Sequence, residues 1–428
     1  MTRKAVIAVV AVVAGLLTIT AAVVDRSRSA EVRPAGATQS SPSGTVVIDW
    51  NRELLRIVRT PKAQPATIHP TRSFAILHAA IYDAVVSVTR DGSPYGFRLT
   101  APRSARPDAA AATAGHDVLA ALYPARADEL DRELAAELAA IPDGTGKEQG
   151  ITVGRNAAER MLAIRSQDGS GTTPPPFPPG TQPGDYRPTP PTLAPPVFTH
   201  WAAVTPFVLH RAAQFRPEPP PDPASTASIT AEREVESLGR DTSTTRTADQ
   251  TVAARFWSAP IWNYWNEIAQ NAALAHHTGL VRTARLFADL DLALADSTIA
   301  FYDGKYHDHV WRPITAIREG PGGDPSWTPL ATTPADPSYP GAHSVISSAA
   351  STVLTSYFGE RNEVVVTSEV LPGVVRSFGS YHDAATEAGL SRIFAGLHTR
   401  LDHDSGLRLG HQVAAFVMDH ATSGGDGR

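Results

Sequence analysis

The sequence predicts a mainly α protein, made of helical bundles joined by long proline-rich loops, and three observations carry that prediction. Apolar residues recur at three- and four-residue spacing in "RELLRIVRT", "SFAILHAAIYDAVVSV", "AAATAGHDVLAALY" and "ELDRELAAELAAI", the period of one helical face. These segments are rich in alanine and leucine, strong helix formers, and no stretch alternates apolar with polar residues over several strands. Seventeen of the 36 prolines fall between Pro174 and Pro223, a density no helix survives.

In chain order, Arg3 and Lys4 precede an apolar run from Ala5 to Val24 and then a Ser/Gly/Pro-rich stretch, the pattern of an export signal. The run is long enough to span a bilayer, and small residues near Thr20 to Ala22 offer a cleavage site. Residues 1–30 therefore read as a signal peptide or N-terminal anchor, 31–45 as a flexible linker and 46–428 as a single helical domain. The expected location is secreted or extracytoplasmic, with membrane contact only through an uncleaved anchor. Four helices come first. The proline-rich stretch that follows interleaves Phe177, Tyr186, Phe198, Trp201, Phe207 and Phe215 with its prolines. A free linker has no use for so many aromatics, so an ordered, extended loop packed across the helical body is expected. Helices resume at "ARFWSAPIWNYWNEIAQNAALA" and "RLFADLDLALADSTIAFYD", the chain reads as loop from Pro313 to about Pro340, and helices return at "SVISSAASTVLTSYFG" and "SYHDAATEAGLSRIFAGLHTRL".

At 428 residues and 42% hydrophobic content the chain can bury a large core. A formal net charge of -5 lacks the basic footprint of a nucleic-acid binder. The absence of cysteine leaves an exported chain without disulfides and removes thiolates as nucleophiles or metal ligands.

Three clusters carry cations and histidines that local structure does not require: "KYHDHVWRP" (305–313), "YPGAHS" (339–344) and "SRIFAGLHTRLD" (391–402). Lys305 and Arg312, seven apart, share one helical face if that segment stays helical up to Pro313. Arg392 and His398, six apart, point to nearly opposite faces of one helix; they serve one site only if Arg392 enters from the helix start or a preceding turn. Pro340-Gly341-Ala342-His343 leads into a helix and sets backbone N–H groups and a histidine at its N-terminus, an anion-binding arrangement. Singly, such clusters are solvated faces and helix caps. Together they suit a tetrahedral oxyanion, whose charge must be met by charge-assisted hydrogen bonds as water is excluded.

Lys305-x6-Arg312-Pro313, Pro340-Gly341-Ala342-His343 and Ser391-Arg392-x5-His398-x3-Asp402 resemble the three-part signature of the type 2 phosphatidic acid phosphatases, bacterial acid phosphatases and vanadium-dependent haloperoxidases. "SFAILHAAIYDAVVSV", "FWSAPIWNYWNEIA" and "LALADSTIAFYDGKYHDHVWRPITAIR" are similar to the soluble bacterial vanadium haloperoxidase-related proteins, so the likeness covers most of the chain from about Trp50. It implies the helical-bundle fold of those enzymes, with the catalytic constellation in 296–411. It implies a vanadate cofactor whose metal is bonded by His398, with Lys305, Arg312, Arg392, Gly341 and Ala342 around its oxygens. His343 would be the acid and base, Lys305 would polarise peroxide, and Asp402 would orient the His398 ring. The implied reactants are hydrogen peroxide, halide and an organic acceptor, and a homo-oligomer stays open. The same residues imply two other readings: a soluble acid phosphatase with His398 as nucleophile, and a non-catalytic oxyanion-binding relative.

One departure stands in the second motif, where the family commonly reads Pro-Ser-Gly-His and this chain has Gly341 and Ala342, so a serine hydroxyl is missing. Asp336, seven before His343, stands where some chloride-using relatives carry an aromatic, and a carboxylate there disfavours halide approach. Asp296 is a candidate buried counter-ion for the cluster. His307 and His309 diverge on a helix too far to share a metal. His78 and Asp83 read as a structural pair, and Trp201 and Trp311 as core residues before pocket lining.

Overall fold

The computed structural model describes residues 43–320 and 322–421. Among them are thirteen α-helices and one β-hairpin. The first group is α1 (Thr45–Arg59), α2 (Pro70–Thr89), α3 (Pro107–Leu122), α4 (Ala127–Ala139) and α5 (Thr145–Arg165). Then come α6 (Thr226–Gly239), α7 (Ala248–Phe256), α8 (Ile261–Ala275), α9 (Leu280–Asp308), α10 (Pro313–Glu319), α11 (Ala342–Phe358), the hairpin β1 (Val364–Thr367) and β2 (Val375–Phe378), α12 (Tyr381–Phe394) and α13 (Arg400–His420). The predicted mainly α, helical-bundle class holds. The expected export segment lies outside the described residues, as does most of the linker, and Thr45 already opens α1.

The long helix α9 is the shared wall of two bundles: it packs on α2 on one side and on α11 and α13 on the other. It can do so because it is buried on nearly all faces, with Leu286, Phe287, Leu290, Leu292, Leu294, Ile299 and Phe301 among its buried residues. In the first bundle α3 and α5 approach closely, since a Cβ at Gly150 or Gly154 would stand 2.4 Å from the carbonyl of Arg106 or Ala110. These glycines weaken the helical signal of "TGKEQGITVGRNAAERMLAIR", and α5 went unread in the sequence for that reason. In the second bundle Gly406 and Gly410 of α13 seat it against α11, where a Cβ would meet the Gly341 and Val345 carbonyls at 2.7 and 2.1 Å.

The proline-rich stretch is ordered and packed, as expected. Tyr186, Trp201 and Phe207 are buried. Its backbone is tied to the chain around the three clusters: the Tyr186 N–H donates to the His309 carbonyl at 2.6 Å and the Val197 N–H to the Ala335 carbonyl at 2.9 Å. Asp296 on α9 anchors it further, accepting N–H bonds from Phe207, Val208 and Leu209 at 2.6, 2.7 and 2.8 Å. Besides α5, the helix α6 and the β1–β2 hairpin were not read in the sequence, and three segments that were read differ. The stretch expected as loop after Pro313 begins with α10, "ARFWSAPIW" breaks at Pro260 between α7 and α8, and the last predicted helix is two helices. Among the described residues no helix is long and apolar enough to cross a membrane.

Candidate functional site

The three clusters converge because each helix end that carries them is closed by a specific local device. Helix α9 stops after Asp308, with His309 in the left-handed region at φ 35°. Pro313 then holds Arg312 extended (φ -85°, ψ 153°) as the residue preceding α10. Lys305 and Arg312 therefore do not share a helical face, contrary to the spacing argument. They meet across a turn. Lys305 Nζ, fully buried, donates to the Pro337 carbonyl and, at 3.1 Å, to the Ser338 carbonyl, and lies 3.3 Å from Asp336 Oδ2. Arg312 Nε donates to the Asp336 carbonyl at 2.7 Å, Nη1 to the Leu397 carbonyl at 2.9 Å, and Nη2 to the Asp336 carboxylate.

Arg392 and His398 likewise sit on different elements. Gly396, at φ +80°, ends α12 with the Leu397 N–H bonded to the Arg392 carbonyl and the Gly396 N–H to the Ile393 carbonyl, both at 2.9 Å. This is the paired closure that a left-handed glycine permits. Thr399 then caps α13 in a reciprocal capping box with Asp402. Arg392 thus reaches in from the last turn of α12, and His398 from the turn before α13. Asp402 Oδ2 accepts the Thr399 N–H at 2.7 Å and the Ser338 hydroxyl at 2.7 Å, and lies 3.2 Å from His398 Nδ1. A carboxylate accepts, so the network assigns the proton to Nδ1 and leaves the Nε2 lone pair as an acceptor, which takes a hydrogen from Arg312 Nη1 at 3.2 Å.

Gly341 precedes α11, as the "PGAH" turn predicts. Its N–H is not open to a ligand, because it donates to the Asp402 carbonyl at 3.0 Å. The N–H groups of Ala342 and His343 belong to the first helical turn, where no intrahelical acceptor exists. His343, half-buried, places Nε2 3.0 Å from the Trp257 carbonyl. The same carbonyl receives Arg392 Nη1 at 3.4 Å. Among the described residues Arg392 has no carboxylate within ion-pair distance, although it is buried.

The electrostatics follow from this packing. Burial pushes Lys305 down to about 8, with Asp336 opposing and Arg312 adding to the shift. Burial, then the neighbouring Arg312, brings Arg392 down to about 10. Burial and Arg312 hold His398 down at about 3 against the pull of Asp402. His343 is held well below the usual histidine range by burial and by Arg392. Burial acts to raise Asp336, but Lys305 and Arg312 outweigh it and leave the carboxyl below its ordinary value. Both histidines are therefore neutral near pH 7.

Other candidates fall elsewhere. Asp296 clamps the proline-rich loop and is not the counter-ion of the cluster; Asp336 is. His78 pairs with Asp291 at 2.6 Å, whereas Asp83 accepts the N–H groups of Tyr95, Gly96 and Phe97, so the two are structural but not partners. His309 faces Asp185 at 3.6 Å and His307 faces Asp308. Trp201 is core, packed on His69 and Phe198; Trp311, nearly buried, lines a cavity of about 230 Å³ that reaches Ser338 and Asp402. Sequence reasoning missed Ser338 and the Trp257 carbonyl, since neither a loop hydroxyl nor a backbone oxygen announces its target. The break at Gly396 was readable: glycine followed by Thr399-x-x-Asp402 is a stop and a start.

Comparison with known proteins gives relatives of one kind. Residues 285–427 match the family described as VCPO second helical-bundle domain. The vanadium chloroperoxidase of Curvularia inaequalis is 24% identical, over 83% of this chain and 78% of that protein. The crystal structure of the first bacterial vanadium-dependent iodoperoxidase superposes with a TM-score of 0.78 at 26% identity, covering 90% of this chain and 98% of the other. A holo-type bacterial vanadium-dependent chloroperoxidase shares the fold, with a TM-score of 0.68 at 19% identity over 90% and 99% of the two chains. With its three clusters brought together at the ends of α9, α11, α12 and α13, the chain is a relative of the vanadium haloperoxidases.

Proposed function

We propose that this protein is a vanadate-dependent haloperoxidase, oxidising halide with hydrogen peroxide to hypohalous acid, which then halogenates an organic acceptor. The observation that carries this reading is Arg392, a buried guanidinium with no carboxylate partner among the described residues, in a site where the Nε2 of a neutral histidine is met by a second guanidinium, that of Arg312. A buried unpaired cation is costly, and an oxyanion arriving from solution removes that cost. The donor set fits vanadate: one imidazole lone pair for the metal, and the cations Lys305, Arg312 and Arg392 for the oxygens. Bound vanadate would supply Lewis acidity that activates peroxide toward halide.

The chain's own residues divide the remaining work. Asp402 and Ser338 fix the His398 ring through Nδ1, so that Nε2 points at the anion. His343 donates Nε2–H to the Trp257 carbonyl and keeps its Nδ1 lone pair, so it can take a proton from an incoming peroxide and return it to a leaving oxygen. Its partial exposure lets small reactants reach it. Lys305, held by Ser338 and Asp336, aims a positive charge where negative charge grows as the oxygen–oxygen bond breaks. Asp336, a carboxylate beside the cluster, disfavours chloride, which is harder to oxidise than bromide or iodide.

A soluble acid phosphatase is the second reading. It is favoured by one observation: a neutral, oriented His398 Nε2 is a competent nucleophile toward phosphorus. Metal analysis and halide oxidation after reconstitution with vanadate, run beside hydrolysis of a chromogenic phosphate ester, separate the two. Halide oxidation that depends on vanadate supports the first; ester hydrolysis alone replaces it with the second. In keeping with its N-terminal sequence, the protein would act outside the cytoplasm.

A further inference from the structure

We propose that Asp336 is a resident counter-anion that sets the charge of the ligand: the pocket takes a singly charged oxyanion, and a doubly charged one enters only together with a proton. The inference rests on the reading of this pocket as an oxyanion site and names the charge class that site accepts.

Asp336 spends one oxygen on each of two cations, Oδ2 on Lys305 at 3.3 Å and Oδ1 on Arg312, and it is buried with them. Three cations, Lys305, Arg312 and Arg392, face two carboxylates, Asp336 and Asp402, and the surplus is one positive charge. The other titratable groups around Asp336 add nothing to the sum. His69 at the start of α2, His398 and His343 are neutral, and Tyr186, Tyr302 and Tyr306 are held in the phenol form by burial. In a pocket that excludes water, an uncompensated charge is expensive. One negative charge balances the surplus; a second must be neutralised by a proton drawn from solvent onto Asp336, the carboxylate between the two cations. Without Asp336 the surplus would be two, and a dianion would fit unaided.

The test is calorimetric titration of the full chain with sulfate, a fixed dianion, and perrhenate, a fixed monoanion, at about pH 6.5, where Lys305 stays charged. Repeating each titration in two buffers of different ionisation enthalpy gives the protons taken up. The expected result is uptake of about one proton per sulfate and none per perrhenate. Asp336→Asn should bind sulfate tighter by about tenfold or more with uptake near zero, and Asp336→Glu should keep the uptake. Should Asp336→Asn fail to fold, the wild-type and Asp336→Glu titrations still decide. Sulfate binding without proton uptake in the wild type, or equal uptake in Asp336→Asn, overturns the inference and leaves the oxyanion site standing. No binding of sulfate, perrhenate, phosphate or vanadate overturns both.

Discussion

Two buried arginines, one in each bundle, show the difference between a charge that holds a fold and one that waits for a ligand. Arg165, at the end of α5, donates Nε to Asp168 at 3.1 Å, Nη1 to the Pro206 carbonyl at 3.2 Å and Nη2 to the Thr205 carbonyl at 2.6 Å. Arg72 closes the same group by donating to Asp168 at 2.7 Å and to the Arg165 carbonyl at 2.8 Å. Every arm of that fork is used inside the protein. Arg392 makes one long bond, 3.4 Å to the Trp257 carbonyl, and meets no carboxylate among the described residues. Burial is common to both, so burial does not mark the site. Unspent hydrogen-bonding capacity does.

Substitutions that separate stability from ligand binding sharpen this contrast. The largest effect is expected at the reacting end of the pocket: His343→Ala should slow turnover by roughly 10²–10⁴-fold while leaving equilibrium vanadate binding nearly unchanged. His398→Ala should instead lose the vanadate itself, and equal loss in both would erase the distinction between ligand and acid–base. Next in size, Arg165→Ala should cost about 1–3 kcal/mol of stability in a denaturant melt, because the Thr205 and Pro206 carbonyls lose their donor while Asp168 keeps only Arg72 of its two guanidinium partners. Arg392→Ala should weaken oxyanion binding by about tenfold to a hundredfold. Its melting temperature without anion should hold or rise, since an unpaired buried charge is gone; a fall as large as that of Arg165→Ala would break the comparison.

A smaller effect is expected with pH. Lys305, brought down to about 8 by burial, is an ammonium below that value and neutral above it. Oxyanion affinity should therefore decline as pH rises through about 8, and Lys305→Gln should flatten that decline in a titration series. The least effect belongs to Gly341→Ser. The hydroxyl supplies the donor the sequence lacks, but the new Cβ would stand 3.1 Å from the Asp402 carbonyl oxygen, tight enough that the turn must give. The gain in vanadate affinity should fall below tenfold, measured by equilibrium titration.

The bundles were legible because the helical period is written into each segment, and the clusters because cations and histidines are conspicuous where alanine and leucine are the rule. Helix ends were harder to read. Arg392 and His398 looked stranded on opposite faces of one helix until Gly396 divided it, and Lys305 and Arg312 looked aligned until His309 and Pro313 turned the chain. Both corrections come from residues whose signal is a backbone angle, which periodicity does not detect. The partners were harder still. Asp336 stood out only as a position near His343, whereas its ion pairs with Lys305 and Arg312 depend on a loop folding back under α9. The Trp257 carbonyl shared by His343 and Arg392 has no side-chain signature at all.

The most direct test of the account is a crystal structure of the protein soaked in vanadate, with the vanadium located by its anomalous scattering. The account predicts the metal at bonding distance from His398 Nε2, with its oxygens on the guanidinium groups of Arg392 and Arg312. Vanadium bound elsewhere, or Arg392 left bonded only to the Trp257 carbonyl with the metal in place, would contradict it.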